Sequence, residues 1–263
     1  MHAKVNGITV AYTDEGKGPS LLFVHGFPLS RATWGRQVDA FRSNHRVIAP
    51  DLRGLGESEA TAGPVSMDLY AEDLFALVQH LGTGPVTLVG HSMGGYVALA
   101  FAKAFPQALQ GLVLVGTKSG ADTPEAAAGR RATAEKVRLE GSSLVVNAMA
   151  TKMLSPHNAD ATMAASVRGF MAPSKPEGVI GALLGMAERP DAGAWLGAIK
   201  ARTLVITGAE DSIIPPSESE ALARAIPGAR LKLIPHAGHL VAFEQPEAFN
   251  KALAAWLDGG NAH

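Results

Sequence analysis

Residues 86–102, VTLVGHSMGGYVALAFA, pass from a strand pattern to a helix pattern with no loop between them. Val86 to Val89 is apolar on both faces, as a strand inside a parallel sheet must be, and YVALAFAKAF then reads as an apolar helix. The joint is Gly90-His91-Ser92-Met93-Gly94. A strand that turns this sharply leaves one residue in strained backbone geometry, and a side chain on either flank would collide with the turn, which is why glycine flanks it. The apex residue is a serine, which helps neither the sheet nor the helix core. It is projected above the strand end, beside the free N–H groups that open the helix, where developing negative charge is stabilised. The stretch therefore predicts an internal strand of an α/β sheet and a nucleophilic Ser92.

The rest of the chain supplies the sheet. SLLFVHG (20–26), HRVIAPD (45–51), LVLVG (112–116) and TLVITG (203–208) share the near-continuous apolar form, and ARLKLIP (229–235) is a more mixed version. The segment around Asn6-Gly7 alternates as a hairpin does. Helical spacing marks 67–81, behind a possible Ser66 N-cap, and also 93–105, 217–225 and 246–257. Strands that alternate with helices predict an α/β, doubly wound, mostly parallel twisted sheet with helices on both faces. From Lys118 to Ile199 no strand-like run occurs, and about 80 residues are too many for a bare loop. The predicted organisation is a core of residues 1–117 and 200–263 with a helical cap, 118–199, inserted between two strands. Five of the eight methionines (Met149, Met153, Met163, Met171, Met186) fall in that insert. They read either as helix core filler or as an adaptable apolar lining over the site. Met149, Met153 and Met186, with Phe27, are the candidates for substrate contact.

A serine hydroxyl needs a base, and the base needs an orienting carboxylate. His239, in LIPHAGHLVAFEQPEAF, lies on the loop after the last strand, where catalytic groups gather in such sheets. His236 is its competitor, and His239 is preferred because it lies past Gly238 and abuts the following helix. TLVITGAEDSIIPP offers Glu210 and Asp211 at a strand end. Asp211 lies further into the loop and is taken as the acid, with Glu210 a solvated neighbour. The order Ser92, Asp211, His239 is the order in which this motif carries its partners. The tetrahedral intermediate also needs donors for its oxyanion. The backbone N–H of Met93 follows the nucleophile, and that of Phe27, in His25-Gly26-Phe27-Pro28, can point inward after the strand 20–24. His25, Asp51 and Arg53 read as structural hydrogen-bonders, the last two in APDLRGLGES.

Composition removes other classes. The formal net charge is -1 with no basic run, which leaves no footprint for nucleic acid. There is no cysteine, hence no disulfide, thiolate metal site or cysteine nucleophile; this fits a cytoplasmic setting. No signal peptide is legible at the N-terminus, and no apolar stretch reaches the roughly 18 residues of a membrane span. The last residues, DGGNAH, read as a frayed tail.

Taken together, HGFP, DLRGLGES, GHSMGG, GAEDSIIPP and HAGHLVAFEQPEAF resemble the α/β-hydrolase superfamily, in order and across the whole core. The resemblance implies Ser92 as nucleophile, Asp211 as acid, His239 as base, and Phe27 and Met93 as oxyanion donors. It also implies a cap where the helical insert falls, and chemistry with no metal or organic cofactor. Serine at the elbow sets the chain apart from the haloalkane dehalogenases and epoxide hydrolases of that superfamily, which use aspartate. HGFPLS is closer to bacterial arylesterases, cofactor-free perhydrolases and enol-lactonases than to the C–C bond hydrolases with a glycine-rich loop. The expectation is a carboxylesterase acting on a small to medium, mostly apolar ester. Lactone hydrolysis and perhydrolysis are the alternatives, and a non-catalytic binding homologue a more distant one.

Overall fold

A computed structural model describes residues 1–259; the tail expected at the C-terminus lies, from residue 260 onward, outside the described residues. Eight strands form one sheet: β1 (His2–Val5), β2 (Ile8–Glu15), β3 (Ser20–Val24), β4 (Arg46–Pro50), β5 (Val86–His91), β6 (Leu109–Val115), β7 (Arg202–Gly208) and β8 (Arg230–Ile234). Their order is β1-β2-β4-β3-β5-β6-β7-β8. The hairpin β1–β2 is antiparallel, and β2 runs antiparallel to β4; from β4 to β8 every pairing is parallel. The hairpin turns at Asn6 and Gly7 with φ of 45° and 80°, the left-handed pair that suits a two-residue turn between twisted strands. β3 and β5 are buried along their whole length, the reason their sequences show no alternation.

The helices are α1 (Gly35–Phe41), α2 (Met67–Leu81), α3 (Met93–Ala104), α4 (Pro124–Glu140), α5 (Ser143–Met149), α6 (Ala161–Met171), α7 (Pro176–Glu188), α8 (Gly193–Leu196), α9 (Pro216–Ala225), α10 (Val241–Glu244) and α11 (Pro246–Leu257). Ser66 caps α2, its hydroxyl accepting from the Leu69 N–H at 3.1 Å, and Gly82 ends it at φ 59°. Such a cap stabilises a helix by about 1 kcal/mol. Two apolar layers sandwich the sheet. On one face, Leu22, Ile48, Leu88 and Leu112 pack against α2 and α3; on the other, Phe23, Val47, Val89 and Val113 meet Trp34, Phe41, Phe249 and Trp256 of the α1 and α11 side.

The residues between β6 and β7 hold helices α4 to α8 and no strand. α4 and α7 pack on each other, and Val65 N–H donates to the Gly181 carbonyl at 3.0 Å, tying α7 to the core. A third apolar cluster joins Met153, Leu154, Val167 and Met171 of this insert to Leu29, Leu240 and Phe243 of the core. The strands thus end beneath a helical roof, and the loops after β3, β5, β7 and β8 meet in the space between. No helix among the described residues is long and apolar enough to cross a membrane.

Candidate active site

Ser92 sits between β5 and α3 at φ 53°, ψ -117°, a backbone that a non-glycine residue adopts only when its surroundings impose it. The surroundings are close backbone contacts. A Cβ on Gly94 would stand 2.4 Å from the Val24 carbonyl oxygen, and one on Gly90 would stand 2.3 Å from that of Gly94. Ser92 N–H donates to Val115 O at 2.9 Å, and the Thr117 hydroxyl donates to Ser92 O at 2.8 Å, so the apex is held from the neighbouring strand β6 as well.

The loops after β7 and β8 bring the two partners. The Ser92 hydroxyl lies 2.9 Å from His239 Nε2, and His239 Nδ1 lies 2.8 Å from Asp211 Oδ2. With Nδ1–H donating to the carboxylate, Nε2 is the free base that faces the hydroxyl. Asp211 Oδ1 accepts from the N–H groups of Ile213 and Ile214, both at 2.9 Å, which fixes the carboxylate plane. The imidazole of His239 is 1 % exposed and the carboxylate of Asp211 0 %, so the pair works out of water, where its electrostatics are strongest.

Two residues outside the expected set hold the base. His91 donates from Nε2 to the His239 carbonyl at 2.8 Å, and its ring stands 4.8 Å from the His239 ring. Burial, and then the nearby His239, push the His91 pKa down to about 3, so it stays neutral with its bare Nδ1 enclosed. Glu244, at the end of α10, accepts from the Gly238 N–H at 2.9 Å through one oxygen and from the Ser155 N–H at 2.7 Å through the other. It ties the His239 loop to the cap. Burial raises its pKa, and its hydrogen bonds work against that rise. In the sequence Glu244 is one of two acids in AFEQPEAF, and nothing there separates it from the exposed Glu247.

Met93 is the first residue of α3, so its N–H has no partner within the helix. Phe27 lies in the loop after β3, whose Phe27–Pro28 peptide is cis, and lines the same cavity as Ser92 and His239. His25 underpins that loop: Nδ1 donates to Gly26 O at 2.9 Å and Nε2 accepts from Leu52 N–H at 3.0 Å. Burial lowers its pKa, consistent with a neutral structural imidazole. Asp51 accepts from the Arg31 and Glu57 N–H groups at 2.6 and 2.9 Å, and Arg53 pairs with buried Asp73 at 2.5 Å, both bracing the loop 51–58.

The cavity over Ser92 encloses about 120 Å³ and is lined by Phe27, Tyr96, Lys118, Arg130, Met149, Met186, Ile213 and Ile214 together with Ser92 and His239. Met149 and Met186 face it. Met153 does not: it is 1 % exposed and packs with Leu29, Val167, Met171 and Phe243 in the cluster that seats the cap, so its place among the substrate contacts is withdrawn. Helical spacing puts Met149 and Met153 on one face, but the chain leaves α5 after Met149, and the two side chains part. The lining also includes two cations that the sequence reading passed over. Lys118 follows β6; Arg130 comes from α4 and pairs with Asp122, which is shared with buried Arg189 at 2.7 Å. Glu210 is likewise more than a solvated neighbour of Asp211. It accepts from the Ser155 hydroxyl and contacts His157 Nδ1 at 2.9 Å, joining the β7 loop to the cap.

Comparison with known proteins shows the same fold. The family model described as alpha/beta hydrolase fold matches residues 19–246. A thermophilic esterase from Thermogutta terrifontis, solved with malate bound, superposes with a TM-score of 0.94 at 42% identity over 98% of both chains. The enol-lactonase from Burkholderia xenovorans gives 0.91 at 26% identity over 98% of this chain and 100% of that one. By sequence, 3-oxoadipate enol-lactonase 2 from Acinetobacter baylyi is 29% identical over 90% of this chain and 88% of that protein.

Proposed function

The chain belongs to the alpha/beta hydrolase fold family, and on that premise we propose that it is a serine hydrolase that cleaves carboxylic esters through an acyl-enzyme. The observation that carries this reading is the unbroken hydrogen-bonded line from Ser92 Oγ to His239 to Asp211, opening into a small cavity. Ser92 Oγ attacks the ester carbonyl while His239 Nε2 takes its proton. The N–H groups of Phe27 and Met93 receive the oxyanion. The imidazolium, held by Asp211, then protonates the leaving alcohol, and water activated by the same imidazole releases the acid.

The cavity refines the substrate. About 120 Å³ suits a short acyl group rather than a long chain. Lys118 has no acidic partner among the described residues, and the cavity is lined by Lys118 and by Arg130, which pairs with Asp122, and by no carboxylate. A short ester or lactone bearing its own carboxylate is therefore favoured over the mostly apolar ester expected from the sequence. The malate in the esterase of known structure and the enol-lactonases among the similar proteins support the same reading.

The test is turnover of p-nitrophenyl acetate by wild type and Ser92→Ala. The variant is expected to lose about 10⁶-fold in kcat, with an unchanged circular dichroism spectrum. Turnover that survives in the folded variant would remove Ser92 as nucleophile.

A further inference from the structure

We propose that His157, Glu210 and His236 form a binding site for one divalent transition-metal ion of the zinc type, placed where the cap meets the two loops that carry Asp211 and His239. The proposal does not rest on the esterase reading, since its readouts are binding and stability.

The three side chains come from distant parts of the chain. His157 lies in the cap between α5 and α6, Glu210 follows β7, and His236 follows β8. Their ligand atoms all lie within 4.8 Å of one another. His157 Nδ1 stands 2.9 Å from Glu210 Oε2, and His236 Nδ1 stands 3.7 Å from Oε1. Donors bound to a tetrahedral ion at about 2.05 Å are spaced about 3.3 Å apart, a spacing the three ligand atoms reach by small side-chain rotations from within 4.8 Å. Two imidazoles and a carboxylate are a donor set that zinc, copper and nickel accept and that magnesium and calcium do not favour.

The donors are also held in place. Ser155 Oγ donates to Glu210 Oε2 and accepts from the His157 N–H at 3.0 Å. Glu210 N–H is fixed by Ala237 O at 2.9 Å. His236 provides a second, independent sign. It is a non-glycine residue at φ 55°, a strained backbone, and its carbonyl is gripped by Asn158 Nδ2 at 2.8 Å and Gln245 Nε2 at 3.0 Å. Strain maintained by two side-chain amides marks a residue whose direction matters. A hydrogen bond from His157 to Glu210 explains one imidazole; the second, 3.7 Å away, is too far for a hydrogen bond and close enough for a shared ion. Coordination through Nδ1 leaves each imidazole proton on Nε2, and solvent completes the shell, since the two imidazoles are 63 % and 68 % exposed. An ion here joins the cap to both catalytic loops.

The experiment is calorimetric titration of chelator-treated protein with Zn²⁺, paired with thermal melts. Wild type is expected to bind one ion with micromolar or tighter affinity. A hundredfold excess over Kd then raises Tm by about 5 °C or more. His157→Ala and His236→Ala, both at exposed positions, are each expected to weaken binding at least tenfold and abolish the Tm rise, with circular dichroism unchanged. Co²⁺ in place of Zn²⁺ should give visible ligand-field bands that both variants lose. No saturable Zn²⁺ uptake by wild type, or uptake that both variants retain, overturns the site.

Discussion

The elbow and the cap cover the same cavity and are held by opposite means. The elbow is fixed locally: Gly90, Ser92 and Gly94 lie within five residues, and backbone atoms a few ångströms away leave them no alternative. The cap is fixed at long range, by the apolar cluster that sets Met153, Leu154, Val167 and Met171 on Leu29, Leu240 and Phe243 and by polar ties such as Ser155 to Glu244 and Val65 to Gly181. The contrast suggests a division of labour. On the proposed reading, the elbow sets the reaction and the cap sets which substrate reaches it.

Four substitutions test that division. The largest expected effect is on the elbow side. Asp211→Asn should lower kcat by about 10⁴ with KM little changed, because the imidazole loses its orienting acceptor. Glu210→Gln, one residue away, should leave kcat nearly intact; the reverse pattern in steady-state kinetics would show that the acid had been misassigned. Next comes the cap. Asp122→Asn strands the buried guanidinium of Arg189, 3 % exposed, and should cost about 3 kcal/mol, seen as a Tm lower by about 6–12 °C. Burial works to raise the pKa of Asp122, but hydrogen bonds from Arg130 and Arg189 outweigh it and lower the value. A depressed carboxylate contributes stability that is whole above its unfolded pKa of about 3.9. That contribution is lost as pH falls through the lower native value. Wild type should therefore shed this part of its stability only below about pH 4, and Asp122→Asn should show none of it in melts across that range. The smallest effect concerns selectivity. Lys118→Ala should raise KM about 10-fold to 100-fold for a monoester of a dicarboxylic acid and leave the matching neutral ester unchanged, a loss on the scale of one charge-assisted hydrogen bond. Equal effects on both esters would remove Lys118 from substrate recognition.

Legibility in the sequence follows the same line. The hairpin, the parallel strands and α2 with its Ser66 cap were readable because each rests on a local pattern: a turn dipeptide, an apolar run, a spacing and a cap. Ser92, Asp211 and His239 could be picked out as neighbours because a parallel sheet delivers all its strand ends to one edge. Met153 could not be placed, because one turn beyond α5 the helical face no longer applies. Lys118, Arg130 and Glu244 carry no local signal, because the cavity that gathers the first two and the tie that Glu244 makes to Ser155 form only when the cap meets the core.

By itself, then, the sequence determined the sheet, the sharp turn at Ser92 and the order of the groups that face it. Those depend on steric limits and periodicities that act over a few residues. Only the tertiary structure decided the pocket's charge, the residues that brace His239 and the meeting of His157, Glu210 and His236. Each of those depends on which side chains the cap lowers onto the core. That docking is the sum of weak contacts between segments that the chain's local preferences leave free.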